Sequence, residues 1–304
     1  MDGILPLWKP AGMTSHDCVV RLRKMLKTKK IGHTGTLDPS VEGVLPICIG
    51  RATKVSQYVM DMGKSYLAEV TIGIATTTED QDGEVVERKK IAAPITREEI
   101  EQVLASLTGE ITQIPPLYSS VRVQGKHLYE YARQGIAVER PERKVMIHKI
   151  ELLDDRSVFD EDPVRFTIHV ECGKGTYIRT LAVMIGERLG YPAHMSRLIR
   201  TVSAGITREK CLTFADVEKN VEEGTITECL LSIEDVLNTL PKYECNDALA
   251  AQVKNGRVLK LPSFLKDLDD SPIAMYHHGK IIAIYKKHPT KNGLIKPARV
   301  LHVN

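Results

Sequence analysis

Residues 29–50 read KKIGHTGTLDPSVEGVLPICIG. Gly32, Gly35, Gly43 and Pro39 interrupt regular structure ahead of the strand-like run VLPICIG, so residues 32–43 form an expected loop. Gly32 and Gly35 let the backbone approach another molecule closely, and Asp38 is biased towards an extended conformation by the proline that follows it. A carboxylate held on such a loop can act as a nucleophile or a base. It can equally begin a turn, with His33 capping a helix end, and the motif taken alone leaves both readings open.

On the N-terminal side, Thr14 and Ser15 precede Cys18, Val19, Leu22, Met25 and Leu26, which are spaced for one face of a helix. Arg21, Arg23, Lys24 and Lys27 fall largely off that face, and Lys29 and Lys30 extend the basic run up to the loop. On the C-terminal side, SYLAEVTIGI (65–74) alternates as a strand does, and Asp82-Gly83 marks a turn between two strands. Thr96 with Glu99 forms a capping box for a helix over 97–108, stopped by Gly109. VRFTIHV (164–170) alternates again, GKGT turns, and Ile178, Leu181, Ala182, Ile185 and Leu189 line one side of a following helix. From residue 233 the texture changes to an amphipathic piece reaching Leu240, a short DALAAQVKNG helix and the strand-like pieces IAMYHH, KIIAIYKK and ARVLHV. The division expected is therefore 1–232 and a small β-rich domain over 233–304.

The 304 residues are 42% hydrophobic and 27% charged with a net charge of +3, which excludes a disordered chain. No apolar run approaches the roughly 18–20 residues of a membrane helix, and the first residues lack a signal-peptide pattern, so a cytoplasmic location is expected. Cys18, Cys48, Cys172, Cys211, Cys229 and Cys245 stand singly, without a CxxC pair, and are expected to be small buried residues. Gly63-Lys64-Ser65 and Gly173-Lys174-Gly175-Thr176 lack the upstream glycine of a phosphate loop, having Tyr58 and Ile168 there. Ser203 lacks the flanking glycine of a nucleophile elbow, and no HExxH or calcium loop is present, so no metal site is expected.

Four segments in order, GHTGTLDPSVEGVLPICIGRATK, KSYLAEVTIGIATTTEDQDGE, IPPLYSSVRVQGKHLYEYARQGI and GKGTYIRTLA, resemble the TruB-type tRNA pseudouridine synthases over about residues 3–210. The resemblance implies an α+β pseudouridine synthase fold on a central, mainly antiparallel sheet, and isomerisation of uridine-55 in the tRNA T loop without metal or organic cofactor. It implies that Asp38 is the nucleophile, that Tyr66 stacks on the flipped base, and that Arg179 pairs with Asp38 and is itself held by Asp80. It further implies that His33 fills the space left by the base, that Tyr177 and Leu198 line the uracil pocket, and that Lys9 supports its own motif or approaches RNA phosphate. Arg122, Lys126, Tyr129 and Arg133 lie in a segment that the family associates with gripping the T arm.

Arg21, Lys24 and Lys27 are candidates for RNA-backbone contact or a solvated face. The C-terminal part resembles, more weakly, a PUA-type RNA-binding module, the alternative being a stabilising appendage. The expected partner is the tRNA T arm, with no membrane and no obligatory protein partner, the enzyme acting as a monomer. Two other functions compete: an RNA-binding or tRNA-folding protein, and a synthase of the same fold acting on another RNA.

Overall fold

Alternation along Val164–Cys172, and along Lys64–Ile72 up to its fully buried end Val70–Ile72, sends one set of side chains to the core and the other to the opposite face. The two strands pair antiparallel in one continuous register, from Lys64 opposite Cys172 to Ile72 opposite Val164. A computed structural model describes residues 1–265 and 270–301. Around this pair a nine-stranded sheet forms, with the main path running Gly3–Lys9, Glu42–Ile49, Ala193–Ser203, Lys64–Ile72, Val164–Cys172, Arg143–Leu152 and Gly109–Gln113. On that path the Glu42–Ile49/Ala193–Ser203 pair is parallel, joining Ile199 to Glu42 and Arg200 to Gly43, and the rest are antiparallel.

VLPICI reads as an uninterrupted apolar run because both of its faces are covered. Leu45, Ile47 and Ile49 pack with Cys18, Val19 and Leu22 of helix Ser15–Met25 and with Phe214 and Val217 of helix Phe214–Glu222. Val44 and Cys48 face the other way, onto Val236, Tyr276, Ile281 and Ile284 of the C-terminal part. The wider end of the sheet is covered by Ile100 and Leu104 of helix Arg97–Ser106 and by Leu181, Ala182 and Ile185 of helix Ile178–Leu189.

The expected capping residues hold. The Thr14 side chain accepts from the Asp17 amide, and that of Thr96 from the Glu99 amide. The helix expected over 97–108 ends at Ser106, and Gly109, in the left-handed region, begins the next strand rather than capping the helix. Cys18, Cys48, Cys172 and Cys245 are buried, whereas Cys211 and Cys229 are only partly so; all six are free thiols.

After the short helix Ile233–Val236, a five-stranded sheet runs in the order Lys242–Glu244, Ile273–His277, Lys280–Lys287, Leu294–Val300 and Leu259–Lys260, with helix Asp247–Lys254 beside it. The last strand begins four residues before the expected ARVLHV, at Leu294, and the end of that segment, His302 and Val303, lies outside the described residues. Among the described residues no helix is long and apolar enough to cross a membrane.

The parallel junction constrains Gly43. It has φ +137°, and a Cβ there would lie 2.3 Å from the Arg200 carbonyl oxygen and 2.6 Å from the Arg200 nitrogen. Both atoms are backbone, so no rotamer change relieves the clash. Gly43→Ala is therefore expected to destabilise the protein by about 2–4 kcal/mol. Thermal unfolding should show a melting temperature lowered by roughly 5 °C or more; an unchanged melting temperature would refute the close packing.

Candidate active site

The loop that carries Asp38 is tied down from beneath by the LWKPAGMTS segment. Lys9 is fully buried, and its amine donates to the carbonyls of Pro10 at 2.9 Å, Pro39 at 3.2 Å and Val41 at 2.5 Å. The Gly12 amide donates to the Pro39 carbonyl at 2.8 Å, and the Leu37 amide to Ser15 Oγ at 2.9 Å. An ammonium group has three protons, so these three carbonyls satisfy Lys9 completely. Of the two roles expected for Lys9, support of the loop agrees with this geometry and approach to RNA phosphate does not.

The expected loop also contracts. Ile31–His33 forms a short strand against Glu42–Ile49, with His33 opposite Ile47, leaving residues 34–41 as the connection. Of the two glycines expected to need conformational freedom, Gly35 does, at φ +107°, and Gly32 has no positive φ.

Asp38 meets Arg179 on the floor of a cleft of about 930 Å³. Arg179 Nη2 lies 3.1 Å from the Asp38 carboxylate and donates to the Tyr118 carbonyl at 2.9 Å. Its Nη1 donates to the Thr78 carbonyl at 3.0 Å and lies 3.6 Å from the Asp80 carboxylate. Asp80 is in turn fixed by Thr78 Oγ1 at 2.5 Å and the Asp82 amide at 3.0 Å. The rigid fork of the guanidinium is thus set by four acceptors drawn from three places in the chain.

Burial pushes the Asp38 carboxyl above the usual carboxylate range, and the Arg179 guanidinium opposes this; Asp80 and Asp82 add to the upward push. A carboxylate of raised basicity, open to a cleft and aligned by a cation, is suited to nucleophilic attack.

Strand pairing supplies the walls. Tyr66 lies opposite Arg200, and Ala68 opposite Leu198, so Tyr66, Leu198 and Arg200 share one face of the sheet. Tyr66 is buried with its hydroxyl pushed up by burial, against the effect of Arg200, and stays neutral. Tyr177 closes the cleft from the start of helix Ile178–Leu189, where its amide donates to Gln113 Oε1 at 3.0 Å and its carbonyl accepts from Gln113 Nε2 at 3.2 Å. Asp38, Tyr66, Tyr177, Arg179 and Leu198 therefore line one cavity, whereas Asp80 stands behind Arg179 and Lys9 beneath the loop.

His33 is half-buried beside the loop and does not line the cavity; its Nδ1 is buried without a hydrogen-bond partner. Burial and Arg200 lower its pKa, leaving a neutral ring near pH 7.

Of the basic candidates, Arg133 reaches the cavity rim together with Tyr129, over whose ring its guanidinium sits at 5.3 Å. Arg122 Nε donates to His127 Nε2 at 3.3 Å, and the Lys126 amine lies 5.9 Å from the Tyr131 ring; both residues are exposed and away from the cavity. Lys24 and Lys27 are exposed on the basic side of helix Ser15–Met25 and just after it. Arg21 is engaged over the Phe214 ring at 4.2 Å.

Among the residues of the site that were not anticipated, Arg200, Lys64 and Gln113 are the most telling. Arg200 is 1% exposed, donates from Nε to the Val44 carbonyl at 2.7 Å and from Nη2 to the Gly35 carbonyl at 3.2 Å, and lines the cleft. Its signal was the two-residue step from Leu198, which places both on the same face of a strand. Lys64 lines the cleft with its pKa lowered to about 8 by burial and by Arg200. Gln113 had no local signal, because its partner Tyr177 is 64 residues away.

Residues 23–178 match the TruB family pseudouridylate synthase N-terminal domain, and residues 179–238 the tRNA pseudouridylate synthase B C-terminal domain. A protein of Bacillus licheniformis named tRNA pseudouridine synthase B is 55% identical over 302 residues, 99% of this chain and 97% of the relative. One of the same name from Geobacillus thermodenitrificans is 53% identical over 300 residues, 99% of both chains. Among solved structures, a chain in the crystal structure of a Cbf5-Nop10-Gar1 complex superposes with a TM-score of 0.74 at 27% identity, covering 99% of this chain and 85% of that one. A chain in the structure of an H/ACA RNP bound to a substrate RNA containing 2'-deoxyuridine gives 0.72 at 26% identity, covering 99% of this chain and 85% of that one. With its sheet, its loop and its sequence matching along nearly the whole length, the chain belongs to the TruB family of pseudouridylate synthases.

Proposed function

We propose that this protein isomerises uridine-55 in the T loop of tRNA to pseudouridine. The observation that carries the reading is the Asp38–Arg179 pair at 3.1 Å on the floor of a cleft walled by Tyr66, Tyr177 and Leu198. In the reaction the N1–C1' glycosidic bond breaks, the uracil turns, and a C5–C1' bond forms. The C5 proton is released, and N1 ends protonated. Electrons balance within the substrate, so the chemistry calls for no redox or organic cofactor.

A stacked uridine offers neither face of its glycosidic bond, and enzymes acting on bases extrude them at a cost of a few kcal/mol. Asp38 serves as nucleophile towards the ring or the anomeric carbon, Tyr66 as the stacking platform, Arg179 as the orienting cation held by Asp80, and Tyr177 and Leu198 as pocket walls. The neutral His33 ring suits occupation of the space left by the base. Arg122, Lys126, Tyr129 and Arg133 act on the T arm, and residues 233–304 act as a PUA-type RNA-binding module beside a catalytic domain of residues 1–232. The enzyme works in the cytoplasm as a monomer.

The direct test is tritium release from an unmodified tRNA transcript carrying 5-tritiated uridine, with this protein alone and without added metal or nucleotide. Release mapped to the T-loop uridine is the expected result. Absence of release from a protein that binds the transcript would leave an RNA-binding or RNA-folding role in its place. The solved structures of protein and RNA assemblies favour a second reading, a synthase that needs accessory components and another RNA; turnover of a bare T-arm stem-loop excludes it.

Lys24 and Lys27 provide a separate check on RNA docking. If both touch phosphate, Lys24→Gln with Lys27→Gln weakens tRNA binding and flattens the slope of log K against log salt by roughly 1 per lost contact. Binding of unchanged strength and slope would return them to the role of a solvated helix face.

A further inference from the structure

Away from the cleft, Asp247, His277 and His278 turn their ligand atoms towards one another, all within 4.8 Å. His277 Nε2 lies 2.8 Å from Asp247 Oδ1, His278 Nε2 lies 3.5 Å from the same oxygen, and the two imidazole rings stand 4.0 Å apart. None of the three lines the reaction cleft. We propose that this trio is a binding site for a divalent cation of the zinc class, joining the start of helix Asp247–Lys254 to the hairpin Ile273–His277/Lys280–Lys287.

Neighbouring residues of a strand point to opposite faces, so two consecutive histidines do not ordinarily converge. Here they converge because His278 has left the strand. His277 pairs with Lys280, and the link between them is His278-Gly279, with φ values of +50° and +72°. Such two-residue links favour asparagine, aspartate or glycine at the first position. Histidine tolerates the left-handed conformation without being the residue such a turn selects, and its backbone conformation returns the ring to the side of His277.

Asp247 already has a partner in His277, whereas His278 stays 80% exposed on its side chain and still faces the same oxygen.

Two imidazole nitrogens and one carboxylate oxygen form a donor set for zinc-like cations, with a water molecule in the fourth position, and are a poor set for magnesium or calcium. Zn–N and Zn–O bonds of about 2.0–2.1 Å require neighbouring ligand atoms about 3.3 Å apart in a tetrahedron. The two separations from Asp247 Oδ1, 2.8 and 3.5 Å, bracket that value, and with all three ligand atoms within 4.8 Å of one another, rotation of the two imidazoles brings the third separation to it.

The test uses the tag-free, full-length protein stripped with chelator, titrated with Zn2+ by calorimetry and with Co2+ by visible absorption. The expected result is one equivalent of Zn2+ with Kd of order 10 µM or tighter, and a Co2+ spectrum of tetrahedral intensity. His278→Asn, which keeps a residue suited to the turn, and Asp247→Asn should each weaken Zn2+ binding by about 10-fold or more. The melting temperature of metal-free His278→Asn should match that of the metal-free wild type, separating loss of a ligand from loss of the fold. Failure of the wild type to bind, or binding by both variants equal to that of the wild type, would overturn the proposal; the latter would place the zinc elsewhere on the protein.

Discussion

Asp38→Asn is expected to abolish tritium release, lowering kcat by at least about 10⁴-fold, with tRNA affinity and melting temperature close to those of the wild type. The size follows from the role. In the proposed role Asp38 itself forms the covalent bond to the substrate, and an amide of the same shape lacks the negative oxygen that does so. The small structural effect follows from electrostatics. Burial raises the folded pKa of Asp38, so the folded protein disfavours its charged form relative to the unfolded chain, and a neutral isostere removes that penalty. Arg179 keeps Asp80 and the carbonyls of Thr78 and Tyr118 as partners. Tritium release and tRNA binding measured side by side decide the matter. Release at more than a few per cent of the wild-type rate would remove Asp38 from the nucleophile's role.

Removal of Arg179 should have the second largest effect, on activity and stability together. Arg179→Ala leaves the Asp38 and Asp80 carboxylates facing the gap without their cation, and loss of the buried Arg179–Asp80 pair costs about 3–5 kcal/mol. It should also reduce kcat by about 10²–10³-fold. The pH dependence separates orientation from simple unfolding. Asp38 must be ionised to act, so activity is full well above its folded pKa and is lost as pH falls through it. That pKa already lies above the ordinary value, and Arg179 is the principal group holding it down. Without the guanidinium it rises further, and the acid limb of the single-turnover rate moves to higher pH. Arg179→Lys retains a positive charge but loses the fork that spans four acceptors, so its acid limb should fall between those of the wild type and Arg179→Ala. An acid limb at the same pH in all three proteins would assign that limb to another group.

The cleft is basic beyond Arg179. Arg200, Lys64, Lys174 and Arg143 all line it with Asp38, and Asp61, which also lines it, pairs with Lys174 at 3.2 Å. Bringing these cations together is costly unless backbone acceptors share the charge, and the carbonyls of Val44 and Gly35 for Arg200, and of Met60 and Met62 for Lys64, do so. Such a lining suits an extruded nucleotide, which carries a neutral base and an anionic backbone.

The sequence by itself determined most of the elements and, through the order of its motifs, the family. Alternation in 64–72 and 164–172 is a property of neighbouring residues, so it shows which segments are strands before any partner is known. Thr14 and Thr96 likewise cap their helices through residues three places on. The motif GHTGTLDP exposed Asp38, and the order of four motifs brought Tyr66, Asp80, Tyr177 and Arg179 into the same reading.

The tertiary structure alone decided what depends on partners distant in the chain. Lys9 proved to be a strut because Pro39 and Val41 fold over its amine. The Gly32–Gly43 loop shortened because Ile31–His33 found a free edge on Glu42–Ile49. Arg200 became a cleft residue because its strand lies between Glu42–Ile49 and Lys64–Ile72, 156 residues from the carbonyl of Val44 that it holds. Local spacing carries periodicity and capping, whose range is a few residues; register, burial and ion pairing arise only when strands far apart in sequence are laid side by side.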